Sequence, residues 1–127
     1  YFHTINDIVV CGLKGNRRGA TIPMASNIAV NILDRLAILQ HPNAVPQVLE
    51  FGNVASVGFD CILHDVNTLP GSSGAPVFVR NGKTWHWIGV HSGAQDVVHK
   101  DGSVVPLNKA CLFKGLDDML KTHGYSQ

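Results

Sequence analysis

Charge is scarce in this chain: only 15% of its 127 residues are Asp, Glu, Lys or Arg, and ten basic side chains against nine acidic leave a net charge of +1. The one basic cluster, Lys14 to Arg18, is a short Gly-containing turn with no interleaved aromatics, so it offers no stripe for a phosphate backbone. Nucleic acid is not expected as the main partner. Long hydrophobic runs are missing too: none approaches the roughly 18 residues that span a bilayer, and Tyr1-Phe2-His3-Thr4 lacks a basic region followed by an apolar stretch. Neither a membrane segment nor a signal peptide is expected. Cys11, Cys61 and Cys111 are widely spaced and odd in number, which is neither a disulfide framework nor a zinc pattern and leaves the redox compartment open. There are no internal repeats and no low-complexity linker. The absence of an initiating Met points to a chain cut from something longer.

What is present is a foldable core. Hydrophobic residues make up 45% of the chain, which excludes disorder, and the length fits one domain over 1–127. Short β-rich runs lie at Ile5 to Cys11, Val45 to Phe51, Val54 to Leu63, Ala75 to Val79, Trp85 to His91 and Val104 to Phe113, separated by turn residues. Six such runs predict an all-β barrel or sandwich. Asn81-Gly82 and Asp101-Gly102 are hairpin signals, so neighbouring strands are expected to be antiparallel. Two segments break the pattern. Met24, Ala25, Ile28, Ala29, Ile32, Leu33, Leu36 and Ala37 recur at spacings of one, three and four, which predicts a helix over about 26–39. Lys114 to Gly124 has acid early, base late and glycine at its end, the pattern of a short C-terminal helix.

The chemistry-bearing stretch is Thr68-Leu-Pro-Gly-Ser-Ser-Gly-Ala-Pro-Val-Phe-Val79, followed after a hairpin by Ile88-Gly-Val-His-Ser-Gly93. A serine hydroxyl attacks a carbonyl efficiently only if fixed donors meet the alkoxide that forms. A tight turn flanked by glycines can aim two backbone N–H groups at one point, and Gly71 and Ser73 would supply them. Ser73 is the candidate nucleophile; Gly74 and Ala75 keep bulk away from its hydroxyl, and Pro76 begins a strand that holds the loop.

Gly71-Ser72-Ser73-Gly74-Ala75-Pro76 resembles the Gly-x-Ser-Gly-x-Pro nucleophile loop of chymotrypsin-like serine proteases, and Gly89-Val90-His91-Ser92-Gly93 resembles the strand that walls their substrate pocket. Thr68, five residues before Ser73, and His91 are similar in placement to the pair that binds the substrate side chain in glutamyl endopeptidases and in viral Glu/Gln-specific processing proteases. The resemblance implies a six-stranded antiparallel Greek-key barrel, the C-terminal half of the chymotrypsin-like double barrel, with Asn6 to Gly15 as its first strand and turn, Leu49 to Ser56 as its next arm, and Phe59 to Asp65 delivering the nucleophile loop. Residues 16–45, with the helix near 26–39, would be an insertion. It further implies a serine endopeptidase that cuts peptide or polyprotein substrates after Glu or Gln, whose oxygen a His nitrogen and a Thr hydroxyl can donate to. Substrate backbone would lie along Ser92 and Gly93 as an added strand.

In this family the general base and its orienting acid come from the N-terminal barrel, which is absent from the chain. Asp34-Arg-Leu-Ala-Ile-Leu39 resembles the family's Asp-hydrophobic-Ala strand, but Arg35 breaks its register, and only 38 residues separate Asp34 from Ser73. His3, His41 and His64 precede Ser73 without a surrounding motif. The base is therefore unassigned. No cofactor or metal is expected: His86/His91 and Cys61/His64 sit at spacings that put each pair on opposite faces of a strand. The rival readings are a pseudoprotease or peptide-binding module using the same groove, and a structural barrel in which Ser73 is a turn residue and the pocket at His91 is occluded.

Overall fold

The computed structural model describes residues 2–5, 8–11, 15, 22–40, 47–68 and 72–124. Among them run eight strands, β1 (Phe2–Ile5), β2 (Ile8–Cys11), β3 (Arg35–Gln40), β4 (Val48–Val57), β5 (Cys61–His64), β6 (Pro76–Asn81), β7 (Thr84–Val98) and β8 (Val104–Leu112), and a single helix, α1 (Leu116–Thr122). Six of the strands close a barrel in the order β3-β4-β5-β8-β7-β6, antiparallel at every step. The antiparallel β-barrel and the C-terminal helix expected from the sequence are both present.

Alternation builds the barrel. Leu36 and Ile38 on β3, Ile62 on β5, Val77 and Val79 on β6 and Ala110 on β8 point inward and are almost wholly buried, as are Val54 and Ile88. Each large aliphatic side chain so buried contributes about 1.5–3 kcal/mol. A second cluster lies outside the barrel wall, where Leu116 and Leu120 of α1 and Ile8 of β2 pack with Cys111 and Phe113. Trp87 stands edge-on to Phe113 at 4.9 Å, and its indole N–H donates to the Gly89 carbonyl at 2.9 Å. At Gly89 a Cβ would run into the carbonyl of Cys111, so β7 and β8 can pair this closely only with glycine there.

Several expectations fail. The runs expected at Val45 to Phe51 and Val54 to Leu63 are not two separate strands: β4 continues through Gly52 and Asn53, and the second run is divided between β4 and β5, residues 45 and 46 lying outside the described residues. Residues 26–39 form no helix. Residues 22–34 run without regular structure and then turn; Arg35–Gln40 pairs with β4 on one side and β6 on the other and is the barrel's first strand in chain order. The apolar spacing that fits a helix also fits period two over Leu36, Ile38 and Gln40, all buried, and hydrogen bonds on both sides outweigh a helix propensity that the β-branched residues had already weakened. Asp34 also competes with helix locally: its Oδ2 accepts the Asn31 N–H at 2.8 Å, while its own N–H donates to the Asn31 carbonyl at 3.1 Å. The run Ile5 to Cys11 is likewise not a barrel strand. It is divided between β1 and β2, which among the described residues pair only with each other. Residues 16–45 are therefore not simply an insertion, since they contain β3.

The strand order explains where the site forms. β5 and β6 are consecutive in the chain but stand on opposite sides of the closed barrel, so the connection between them must cross one end instead of making a hairpin. That connection carries Thr68 and Ser73. It is tied down by Asn108 on β8, whose side-chain amide donates to the Val66 carbonyl at 2.8 Å, and by Gln40 on β3, whose amide donates to the Asn67 carbonyl at 3.0 Å. Val66 drops fully buried into the core beneath it.

Candidate active site

The crossing segment rejoins the sheet along β7. Gly74 N–H donates to the His91 carbonyl at 2.7 Å and His91 N–H to the Ala75 carbonyl at 2.8 Å, while the turn before them is closed by Ala75 N–H on the Ser72 carbonyl at 3.0 Å. Gly74 holds φ at 89°, a left-handed value that favours glycine. The candidate nucleophile loop and the Gly-x-His-x-Gly strand, 15 residues apart in sequence between Gly74 and Gly89, are thus hydrogen-bonded neighbours. Ser73 itself is exposed, and its hydroxyl makes a long bond, 3.4 Å, to the Ser92 carbonyl. Ser72 points the other way, buried, donating to Gln40 Oε1 at 2.5 Å. Gln40 therefore grips the crossing segment twice, at Asn67 and at Ser72. Sequence reasoning missed it because it stands just beyond the helix expected over 26–39.

Beneath the loop lie two histidines. His91 is 4% exposed, the occlusion that the structural-barrel reading expects, and His64 is fully buried; their rings meet edge to face with centroids 5.4 Å apart. The sequence singles out His91 as a substrate ligand and His64 only as a base without a motif; register makes them partners, since β8 separates their strands and places His64 opposite Asn108 and His91 opposite Ala110. The Val66 N–H donates to His64 Nδ1 at 3.2 Å. That nitrogen must be an acceptor, so the neutral ring carries its proton on Nε2. His64 Nε2 and His91 Nδ1 are both buried with no hydrogen-bond partner among the described residues, at a cost of about 1–3 kcal/mol each. Burial, then the neighbouring His91 charge, push His64 down to about 4, against a smaller opposing pull from Asp65; burial lowers His91 as well. The pair is neutral at pH 7.

The other predicted residues fall as follows. Thr68 is half-buried on the crossing segment, and Ser92 and Gly93 are half-buried on β7. A bulge falls between His91 and Gly93, where φ reaches 145° at Gly93, a local kink of the kind that re-aims side chains beside sites. Gly71 lies outside the described residues, as do His41 and the side chain of His3. Asp34 stands at the far end of the barrel: β3 runs antiparallel to β6, so the Asp34 end of β3 faces the end of β6 remote from Ser73. No histidine hydrogen-bonds Ser73 among the described residues. Cys61 and His64 do fall on opposite faces of β5, and no group of three or more metal-ligating side chains gathers among the described residues. A cavity of about 380 Å³ lies away from this site; Ala25, Ile28, Phe59, Ile88 and Lys114 line it where β4 ends. A smaller one of about 220 Å³ lies outside the barrel between Phe51, Phe78 and Trp85. No protein-family model matches the chain, and a search of curated proteins finds no significant match.

Proposed function

We propose that this chain is the nucleophile-bearing barrel of a serine endopeptidase, contributing Ser73, an oxyanion hole at Gly71 and Ser73, and a pocket for the substrate side chain built on His91 and Thr68. The observation that carries the reading is the backbone pairing of Gly74 and Ala75 with His91: it sets an exposed serine in a glycine-held turn beside a buried histidine whose Nδ1 has no hydrogen-bond partner among the described residues. The strand order supports a Greek-key barrel of the chymotrypsin-like kind, three strands in chain order and the next three in reverse. General base and orienting acid would come from an N-terminal barrel. Neutral histidines suit an uncharged side chain, so Gln is the better fit than Glu at pH 7: a carboxylate entering the pocket would have to protonate a ring that burial keeps neutral.

The test is activity-based labelling of the longer protein with a fluorophosphonate, which reacts only with an activated serine. Labelling at Ser73, abolished in a folded Ser73→Ala variant, is the expected outcome. A folded protein that binds peptide along Ser92 and Gly93 but is never labelled would instead be the pseudoprotease, and labelling that survives Ser73→Ala would overturn the assignment.

A further inference from the structure

The three cysteines, widely spaced in sequence, are not equivalent in the fold. Cys11 is exposed on β2, Cys61 is half-buried at the start of β5, and Cys111 is buried near the end of β8. Cys61 and Cys111 are direct cross-strand partners. Their side chains leave the same face of the sheet. Ile62 and Ala110, the next residue on β5 and the preceding one on β8, both point into the barrel core, so by alternation Cys61 and Cys111 point outward, and Cys111 packs there with Phe113 and Leu116. The hydrogen-bond phase of the ladder follows from its neighbour. Leu112 N–H donates to the Asp60 carbonyl at 2.9 Å, which makes 60/112 a hydrogen-bonded pair and 61/111 the non-hydrogen-bonded pair beside it. In such pairs the Cα atoms stand about 4.5 Å apart and the side chains are at their closest. A disulfide needs Cα atoms about 4.4–6.8 Å apart with Cβ vectors converging. Few positions in a sheet satisfy both, and here both are occupied by cysteine.

We propose that Cys61 and Cys111 are a cross-strand dithiol that a small-molecule disulfide closes into an intrachain bridge on the outer face of the barrel. The chemistry balances as two thiol–disulfide exchanges. The Cys61 thiolate, on the more accessible side chain, attacks the oxidant, forming a mixed disulfide and releasing one thiol. The Cys111 thiolate then attacks Cys61 Sγ, the protein S–S bond forms as the second thiol leaves, and the two protein thiols are oxidised as one oxidant disulfide is reduced. The bridge would pin the β5–β8 seam three residues from the His64/Asn108 pair. Cys11, exposed and on a different sheet, takes no part in it.

The experiment uses the full chain carrying Cys11→Ser, an exposed position, so that only the two inferred partners remain. The folded protein is incubated with glutathione disulfide, unfolded in an alkylating agent and mapped without reduction. The expected result is a mass loss of two hydrogens, one linked peptide pair joining Cys61 to Cys111, and neither cysteine alkylated. In a companion Cys61→Ser protein, Cys111 should remain alkylatable after the same treatment. Cys61 ending as a stable glutathione adduct with Cys111 still alkylatable, or both thiols surviving an exposure that fully oxidises the unfolded chain, would overturn the proposal.

Discussion

A buried histidine pair is an unusual thing to place in a barrel core, and its consequences can be stated with signs. In the unfolded chain a histidine titrates near 6.5, whereas His64 in the fold titrates near 4. Between those values the unfolded chain takes up a proton that the folded chain refuses. Stability is therefore full above about pH 6.5, falls as pH drops, and has lost the whole contribution below about 4, a difference on the order of 3 kcal/mol. His91, lowered by burial, acts in the same direction. The urea midpoint should accordingly fall between pH 7 and pH 4.5, and His64→Leu should flatten that dependence; an equally steep fall in the variant would assign the effect elsewhere. His91 has a separate role under the proposed function. Replacing it with Leu in the active longer protein would leave a Gln oxygen buried without a donor, costing about 1–3 kcal/mol, or one to two decades in kcat/KM. Peptides varied only at the cleavage position check this, and an unchanged preference would mean that the pocket lies elsewhere.

At the scale of elements, the informative segment is 31–40. A turn closed by Asn31 and Asp34 precedes β3, and Leu33 sits in it at φ 73° with 76% of its surface exposed. A leucine in the left-handed region costs about 1 kcal/mol or more, and its side chain is too exposed to repay that. Leu33→Gly or Leu33→Asn should therefore stabilise the protein by about 0.5–1 kcal/mol, seen as a rise of a few degrees in Tm; a lower Tm for both variants would refute the strain argument. β3 also shows why the helix expectation failed. Apolar spacing over Leu33, Leu36 and Ala37 is compatible with two periods, and what selects between them is the presence of β4 and β6 on either side, which a one-dimensional pattern does not contain. The β1–β2 hairpin illustrates the same limit: Ile5 to Cys11 is β-rich in sequence, yet whether a β-rich run enters a barrel depends on which edges are free to pair.

At the scale of the whole molecule, the reading implies a division of labour between this barrel and another. Among the described residues Ser73 has no histidine on its hydroxyl, and a serine without a base is a weak nucleophile. Residues 1–127 alone should turn over a Gln peptide amide slower by several orders of magnitude than a complete triad would. Robust hydrolysis by the isolated chain, abolished by Ser73→Ala, would place the base within it, at His41 or His64, and would remove the need for a second barrel.

Several features were determined by local sequence alone. Strand alternation on β6, the Asn81-Gly82 turn and the α1 segment are properties of neighbouring residues, and short-range sterics and burial periodicity suffice to read them. The turn from Ser72 to Ala75 was legible for the same reason, since a tight glycine turn is a local object. Tertiary structure decided the rest. That Gln40 holds Ser72, that His64 lies against His91, that Cys61 faces Cys111 and that Asp34 is remote from Ser73 all follow from the order in which six strands close. That order is a long-range choice: each strand alone could pair with any edge of suitable register, and only the simultaneous burial of every inward face, with no edge left open, selects one arrangement.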